Sequence, residues 1–425
     1  MDPDAQLLDL FPPGTSRAAD GMLVVGGCRL DAVAEEFGTP AFVVDEEALR
    51  ARAREFLREF RSRWPSVHVV FASKAFPATA VQRVVTEEGL GLDVAGGGEL
   101  LSAVAAGADP ATFVMHGNAK TAEEIQLAVD HGLGLVVVDN FDDIDRLETI
   151  VPAGRAQDCL VRVVPGVQAS THASQATGHE GSKFGLVPEQ AREAIARIEA
   201  SPRLRMEGLH THVGSQILNA DEMAAAVAPL ARLGTFATYD LGGGLGVRYT
   251  YDEQPPTVAQ YAEALVAQAR ELLPSSARLI VEPGRSMVGR TTTTVYRVTT
   301  VKRSLLTHVA VDGGMGDNLD VSLTGQRFEA TIADRLAGAD GDGERVTVVG
   351  RHCESGDVLS DGVPLVEPRV GDLLAVPVTG AYCFTMSNNY NGARRIPVVF
   401  ARHGTARAVV RRETWADLLA RDVPA

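Results

Sequence analysis

Between residues 67 and 281 short apolar runs alternate with longer stretches in which apolar positions recur every three or four residues. The short runs fall at 67–72, 90–94, 112–116, 135–138, 159–164, 206–212, 237–241 and 278–281. Apolar runs of this length, bounded by turn-forming residues, predict strands. The helical periodicity at 80–88, 122–130, 188–199, 221–233 and 258–273 predicts helices between them. Strand and helix in regular alternation is the pattern of parallel βα units. Eight such strands predict an α/β fold built on a closed, TIM-like (β/α)8 barrel over residues 40–290, with an open doubly wound sheet as the competing arrangement.

Beyond residue 290 the texture changes. Runs at 291–301, 308–312, 345–349, 372–378, 397–401 and 406–410 are β-rich and helical periodicity is sparse, which predicts a C-terminal, mostly antiparallel β-domain over 291–425. The strand-like stretch 22–30 assigns residues 1–39 to an N-terminal segment that joins this domain. The Gly/Asp-rich run 337–344 is the expected mobile loop, and no repeat of solenoid length is present.

Composition narrows the partners. A net charge of −15 disfavours nucleic acid, whose phosphates are bound by Lys and Arg. No apolar run is long enough to span a bilayer, and residues 1–12 lack the basic start of a secretory signal, so no membrane is expected. Cys28, Cys159, Cys353 and Cys383 are scattered without CxxC spacing, which argues against a zinc ribbon or a disulfide framework and for a cytoplasmic location.

Chemistry in a barrel is built at the C-terminal ends of the strands. Polar residues collect at those positions here: Lys74, Asp93, His116, His212, the 242–244 glycines, and the Glu282–Arg285 turn. Lys74 stands among apolar neighbours, where burial would lower an amine's proton affinity as a Schiff-base lysine requires; a lysine that snorkels to water fits equally well. The loop DLGGGLG (240–246) offers bare backbone N–H groups to a phosphate, or is simply a tight turn; it fits neither GxGxxG nor the P-loop. His210 and His212, two apart on a strand, could ligate a metal or pack against a flat cofactor, so a metal-dependent barrel hydrolase is the rival from another class. No further ligand set stands out, and no metal is expected. Glu282 and Arg285 form either an ion pair or a carboxylate for a pyridine nitrogen and a guanidinium for a phosphate. Cys353, between His352 and Glu354, is oddly placed for a core residue and reads as reactive.

Ten segments occur in a fixed order: FASKAF, GLDVAGGGEL, HGNAK, SKFG, GLHTHVGSQI, DLGGGLG, VEPGR, VDGGMGDN, HCESGD and GAYCFTMSNNYN. From about Gly38 to Leu419 the chain resembles the alanine-racemase-type (fold type III) pyridoxal-phosphate decarboxylases, and most of all their diaminopimelate decarboxylase branch. The resemblance implies pyridoxal 5'-phosphate carried on Lys74, with His212 stacked on its ring and Asp93 and Gly284 among its neighbours. It further implies that Ser215, Gly243, Gly244, Arg285 and Tyr382 hold the phosphate and that Glu282 pairs with the pyridine nitrogen. Arg285 and Tyr382 would also meet the substrate, Cys353 would reprotonate its α-carbon, and Glu354 would contact its amino group. Because Cys353 and Glu354 act on the partner's site in this family, a homodimer with shared active sites is implied, leaving a catalytically dead regulatory homologue disfavoured by the presence of Lys74 and Cys353.

The chain departs from the branch in two places. Gly96 replaces a Ser or Thr, and Asp320 and Thr324 stand where an arginine and, four residues on, a tyrosine usually bind the substrate's distal carboxylate; Phe328 replaces a further tyrosine. A carboxylate facing Asp320 would be repelled. The expected substrate is therefore an amino acid other than free meso-diaminopimelate: a basic one, or an acidic one masked as a carrier-protein thioester as in natural-product pathways. Decarboxylation of diaminopimelate to L-lysine is the alternative.

Overall fold

The computed structural model describes residues 8–167, 178, 181–336 and 343–423. Most of the run 337–344, expected to be a mobile loop, lies outside the described residues. The chain divides into two compact units, Met1–Ala51 with Arg248–Gln254 and Met287–Ala425, and Arg52–Val247 with Pro255–Ser286.

The second unit is the barrel. Its strands are Val67–Ala72, Gly91–Val94, Phe113–Met115, Leu135–Val138, Gln157–Arg162, Leu204–His210, Thr238–Asp240 and Arg278–Val281. All neighbours are parallel, and the eighth strand pairs back onto the first through Leu279–Val67, Ile280–His68 and Val281–Val69. That pairing closes the sheet and excludes the open arrangement. Val70, Val114, Leu135, Val137, Leu160 and Ile280 form one buried cluster drawn from five strands, the interior packing a closed barrel requires. Helices connect the strands, and two begin with reciprocal capping boxes, Thr121 with Glu124 and Thr257 with Gln260. The periodic stretch 221–233 is not one helix but two, Ala220–Ala224 and Val227–Ala231. Pro229 has no N–H to donate to the carbonyl four residues earlier, which accounts for the break.

The other unit is mostly antiparallel. Its long strand Thr292–Arg303 pairs antiparallel with Thr307–Val311, Leu373–Val376 and Ala41–Asp45. Ala41–Asp45 is buried along its whole length and also pairs in parallel with Val398–Arg402. The barrel expected to begin at residue 40 therefore begins later: the partners of Ala41–Asp45 are in the β-unit, and the chain divides after Ala51. The N-terminal strands Leu23–Val25 and Cys28–Arg29 form a small sheet of their own with Ser16–Arg17. Leu23, Val25 and Cys28 pack with Val43, Val295, Ala375 and Val399 in one core. No helix among the described residues is long and apolar enough to cross a membrane.

Candidate active site

The barrel strands deliver their last residues to one end, and that end carries a concentration of buried charge. Glu282 follows the eighth strand and is 6% exposed. His116, just past the third strand, brings Nε2 within 2.6 Å of Glu282 Oε1 and 3.7 Å of Asp93 Oδ1. His210, ending the sixth strand, has Nε2 3.4 Å from Glu282 Oε2, and its ring meets that of His116 edge-on with centroids 4.7 Å apart. Asp240 ends the seventh strand, fully buried, and accepts from the Gly242 N–H at 2.9 Å.

Burial alone would push the Glu282 carboxyl up, but His116 and His210 outweigh it and hold the group well below the usual carboxylate range. The carrier of positive charge is His116: burial disfavours its imidazolium, yet Glu282 and Asp93 raise its pKa. His210 is pushed down to about 3, by burial first, and is the neutral partner. The surrounding acids take the opposite course. Burial raises Asp93 to about 6, Glu99 to about 7 and, reinforced by Glu282, lifts Asp240 well above the usual carboxylate range. Of these four carboxyls only Glu282 is held below the usual carboxylate range.

The rest of the mouth is built from loops. Lys74 lies on the turn Ser73–Ala75 after the first strand. Ser73, Ala75 and Phe76 are buried but Lys74 itself is exposed, so the expectation of a buried amine is corrected: the apolar pattern belongs to the neighbours that anchor the turn. His212 does not share a strand face with His210, because the strand ends at His210. Its Nδ1 accepts from the Gly243 N–H at 3.2 Å, and burial followed by the charge of Lys74 pushes its pKa well below the usual value, leaving a neutral ring. A side chain at Gly243 would place Cβ 2.2 Å from the Glu282 carbonyl oxygen, and Gly244 has φ +119°, so this loop needs glycine at both positions. Arg285, 5% exposed, donates from Nε to Ser215 Oγ at 3.1 Å. Gly284 is buried, its absent Cβ 3.1 Å from that of Ala72.

Two buried cations were not singled out by sequence. Arg162 ends the fifth strand, 3.7 Å from Asp139 and over the Phe184 ring at 4.6 Å. Lys120 donates to Asp143 at 2.7 Å and to the Gly117 carbonyl at 2.6 Å. Their position at strand ends was the available signal; an isolated basic residue carries little by itself.

The residues expected outside the barrel lie in the β-unit. Cys353 and Glu354 are exposed, on the turn between Glu344–Val349 and Val358–Leu365, whereas Cys28, Cys159 and Cys383 are buried. Tyr382 is half-buried with φ +68°. Asp320 begins the short helix Asp320–Thr324, is 2% exposed, and accepts from Thr324 Oγ1 at 2.9 Å. Phe328 packs edge-on against Tyr249, and Arg327 binds Asp252 at 2.7 Å.

His116, His210, Asp240 and Glu282 place four potential ligand atoms within 4.8 Å of one another. The carboxylate at the centre of this cluster can equally accept a pyridine N–H. Glu282 Oε1 is buried and aligned with no donor among the described residues, close as His116 is. Glu282 can accept from a protonated ring nitrogen, His212 is a flat neutral ring, and Ser215, Arg285 and the Gly243–Gly244 backbone can hold a phosphate. With the Lys74 amine, these groups fit pyridoxal phosphate.

Residues 47–289 match the family model described as the pyridoxal binding domain of pyridoxal-dependent decarboxylases. The diaminopimelate decarboxylase of Actinosynnema pretiosum subsp. auranticum is 46% identical over 427 residues, covering 97% of this chain and 95% of that protein. That of Bacillus subtilis is 40% identical over 437 residues, covering 98% of each. The crystal structure of diaminopimelate decarboxylase from M. jannaschii in complex with L-lysine superposes with a TM-score of 0.89 at 28% identity, covering 97% of this chain and 98% of that one. With a lysine, a buried carboxylate between two histidines and a glycine loop at the mouth of its barrel, the chain belongs to the pyridoxal-dependent decarboxylase family.

Proposed function

We propose that the protein removes the α-carboxylate of diaminopimelate as carbon dioxide, leaving lysine. The observation that carries this is similarity over nearly the full chain, at 46% and 40% identity, to two diaminopimelate decarboxylases. It favours diaminopimelate over the basic or carrier-bound substrate expected from Asp320 and Thr324. Nothing in the relatives supports tethering to a carrier protein.

Pyridoxal phosphate, when bound, supplies an electron sink for the pair left as carbon dioxide departs. Lys74 Nζ would hold the cofactor. Glu282, kept ionised by His116, holds a proton at the pyridine nitrogen and so maintains the sink. Ser215, Arg285 and the N–H groups of Gly243 and Gly244 bind the phosphate, and His212 supports the ring face. Cys353 returns a proton to the α-carbon, and Glu354 meets the substrate's amino group. These last two serve the site of a partner subunit, in a homodimer. Asp93 and Gly284 complete the cofactor's surroundings within the barrel.

Carbon dioxide release from meso-diaminopimelate, L-lysine, L-ornithine and carrier-bound amino acids tests the substrate. We expect kcat/KM for diaminopimelate above about 10⁴ M⁻¹s⁻¹, the low end for physiological substrates. Efficient turnover of a basic or carrier-bound amino acid with diaminopimelate inert would reject it.

A further inference from the structure

Cys353 sits on an exposed turn, yet the turn is anchored from below by a buried carboxylate. Asp357, 3% exposed, closes residues 350–357 on itself: Gly350 N–H donates to its carbonyl at 2.9 Å, and its own N–H donates to the Glu354 carbonyl at 3.1 Å. Its Oδ2 accepts both the backbone N–H of His352 and the ring Nδ1–H of His352, each at 2.8 Å. Its Oδ1 accepts the Met315 N–H at 2.6 Å, from the turn that leads into Asp320–Thr324. The carboxylate occupies a slot that only glycine leaves open. A Cβ on Gly314 would lie 2.5 Å from Oδ1, and one on Gly350 would lie 2.2 Å from Oδ2.

His352 cannot be the proton relay its place beside Cys353 suggests. Its ring is 7% exposed, lies parallel to Tyr390 at 5.7 Å, and turns Nε2 toward Gly316, whose Cβ would be 2.8 Å away. That Nε2 has no hydrogen-bond partner among the described residues. What the ring supplies is one oriented donor, Nδ1–H, that fixes the Asp357 carboxylate. From there the order spreads. Arg351 N–H donates to Gly313 O at 2.9 Å, Ser322 Oγ to Gly356 O at 2.8 Å, and Cys353 N–H to Asn391 Oδ1 at 2.7 Å.

We propose that Asp357 and His352 are positioning residues that preset the Cys353–Glu354 turn and couple it to the Asp320–Thr324 helix, so that the proton donor and the substrate-facing helix are held in fixed register. The inference rests on the assignment of Cys353 as proton donor, and its test separates the two. Cys353 is the one exposed cysteine of four, so iodoacetamide labelling of the native holoenzyme reports on this turn without reference to decarboxylation. His352→Leu removes the donor; His352→Asn retains an N–H near the Nδ1 position.

Three results together are expected. His352→Leu alters the Cys353 labelling rate severalfold, lowers kcat about a hundredfold with KM changed much less, as for a displaced reacting group, and His352→Asn restores most of both. Unchanged labelling in a folded, cofactor-loaded His352→Leu enzyme overturns the proposal, as does altered labelling with unchanged kcat. If His352→Leu does not fold, Asp357→Asn is read by the same criteria, since it replaces one acceptor by a donor facing donors. Full kcat in Cys353→Ala would instead reject the proton-donor assignment, while the labelling rates still decide whether the turn is preset.

Discussion

A buried carboxylate stays ionised only if something nearby makes charge less costly than a proton. At Glu282 that is the His116 imidazolium, itself raised first against burial by Glu282 and then by Asp93. His116→Gln keeps a hydrogen-bond donor and removes the charge, so burial acts on Glu282 unopposed and the pyridine nitrogen loses its anion. We expect cofactor retention to weaken by about tenfold or more and stability at neutral pH to fall by about 3 kcal/mol, the usual result of stripping one partner from a buried pair. The sign of the pH dependence follows from the raised histidine. Its folded pKa lies above the unfolded value, so its contribution is complete below the ordinary histidine value and is lost as pH rises through the raised one. Urea unfolding across neutral to alkaline pH should show that limb in the wild type and not in His116→Gln; superimposable profiles would sink the assignment. Sequence gave a view of Glu282 and the histidines as strand-end residues, but not of which acid is ionised. That depends on distances across several strands, between residues as distant in the chain as His116 and Glu282, 166 positions apart.

Two loops of the barrel mouth are held together by one side chain. Gln216 has φ +54°, and its amide pairs both ways with the Val247 backbone, Nε2 donating to the carbonyl at 2.7 Å and Oε1 accepting the N–H at 3.0 Å. Alongside it Ile217 N–H donates to Gly244 O and Gly246 N–H to Ile217 O, each at 3.0 Å. The clamp fixes Ser215 against the 242–246 glycines before any phosphate arrives, so binding need not pay to order them. Gln216→Ala should therefore weaken pyridoxal-phosphate binding by about tenfold, read as a dissociation constant from cofactor absorbance, while Gln216→Glu recovers only part because it loses the donor. Equal affinities in all three proteins would refute the clamp. At this scale the strands were legible, because apolar runs bounded by turns mark them whichever way they pair. Helices Gly97–Ala105 and Phe141–Ile150 were not picked out, the first beginning in glycines and the second carrying four acidic residues among its ten. The strand Ala41–Asp45 was not picked out and fell inside the range expected for the barrel, since period and composition cannot say which sheet a fully buried strand enters.

The two units divide the expected chemistry between them. Lys74, Asp93, His212, Ser215, Gly243, Gly244, Glu282, Gly284 and Arg285 belong to the barrel, and Cys353, Glu354, Tyr382, Asp320 and Thr324 to the β-unit. Cys353 and Glu354 are exposed in the single chain, as the proposed shared site requires. If each site takes Lys74 from one subunit and Cys353 from the other, Lys74→Ala and Cys353→Ala proteins are each inactive as homodimers. Mixed dimers are different: both lesions fall in one site, and the second site has both residues intact. Random exchange of equal amounts makes half the dimers mixed, each with one good site of two, so activity should recover to about a quarter of the wild-type value. Borohydride should trap cofactor only on the subunits that keep Lys74, which counts the loaded sites independently of turnover. Exchange is verified by mixing differently tagged subunits and recovering both tags together. Activity that stays at the level of the separate mutants despite proven exchange would mean that each chain supplies its own Cys353. Recovery near a quarter requires the crossed arrangement, because with uncrossed sites every site in a mixed dimer carries one lesion.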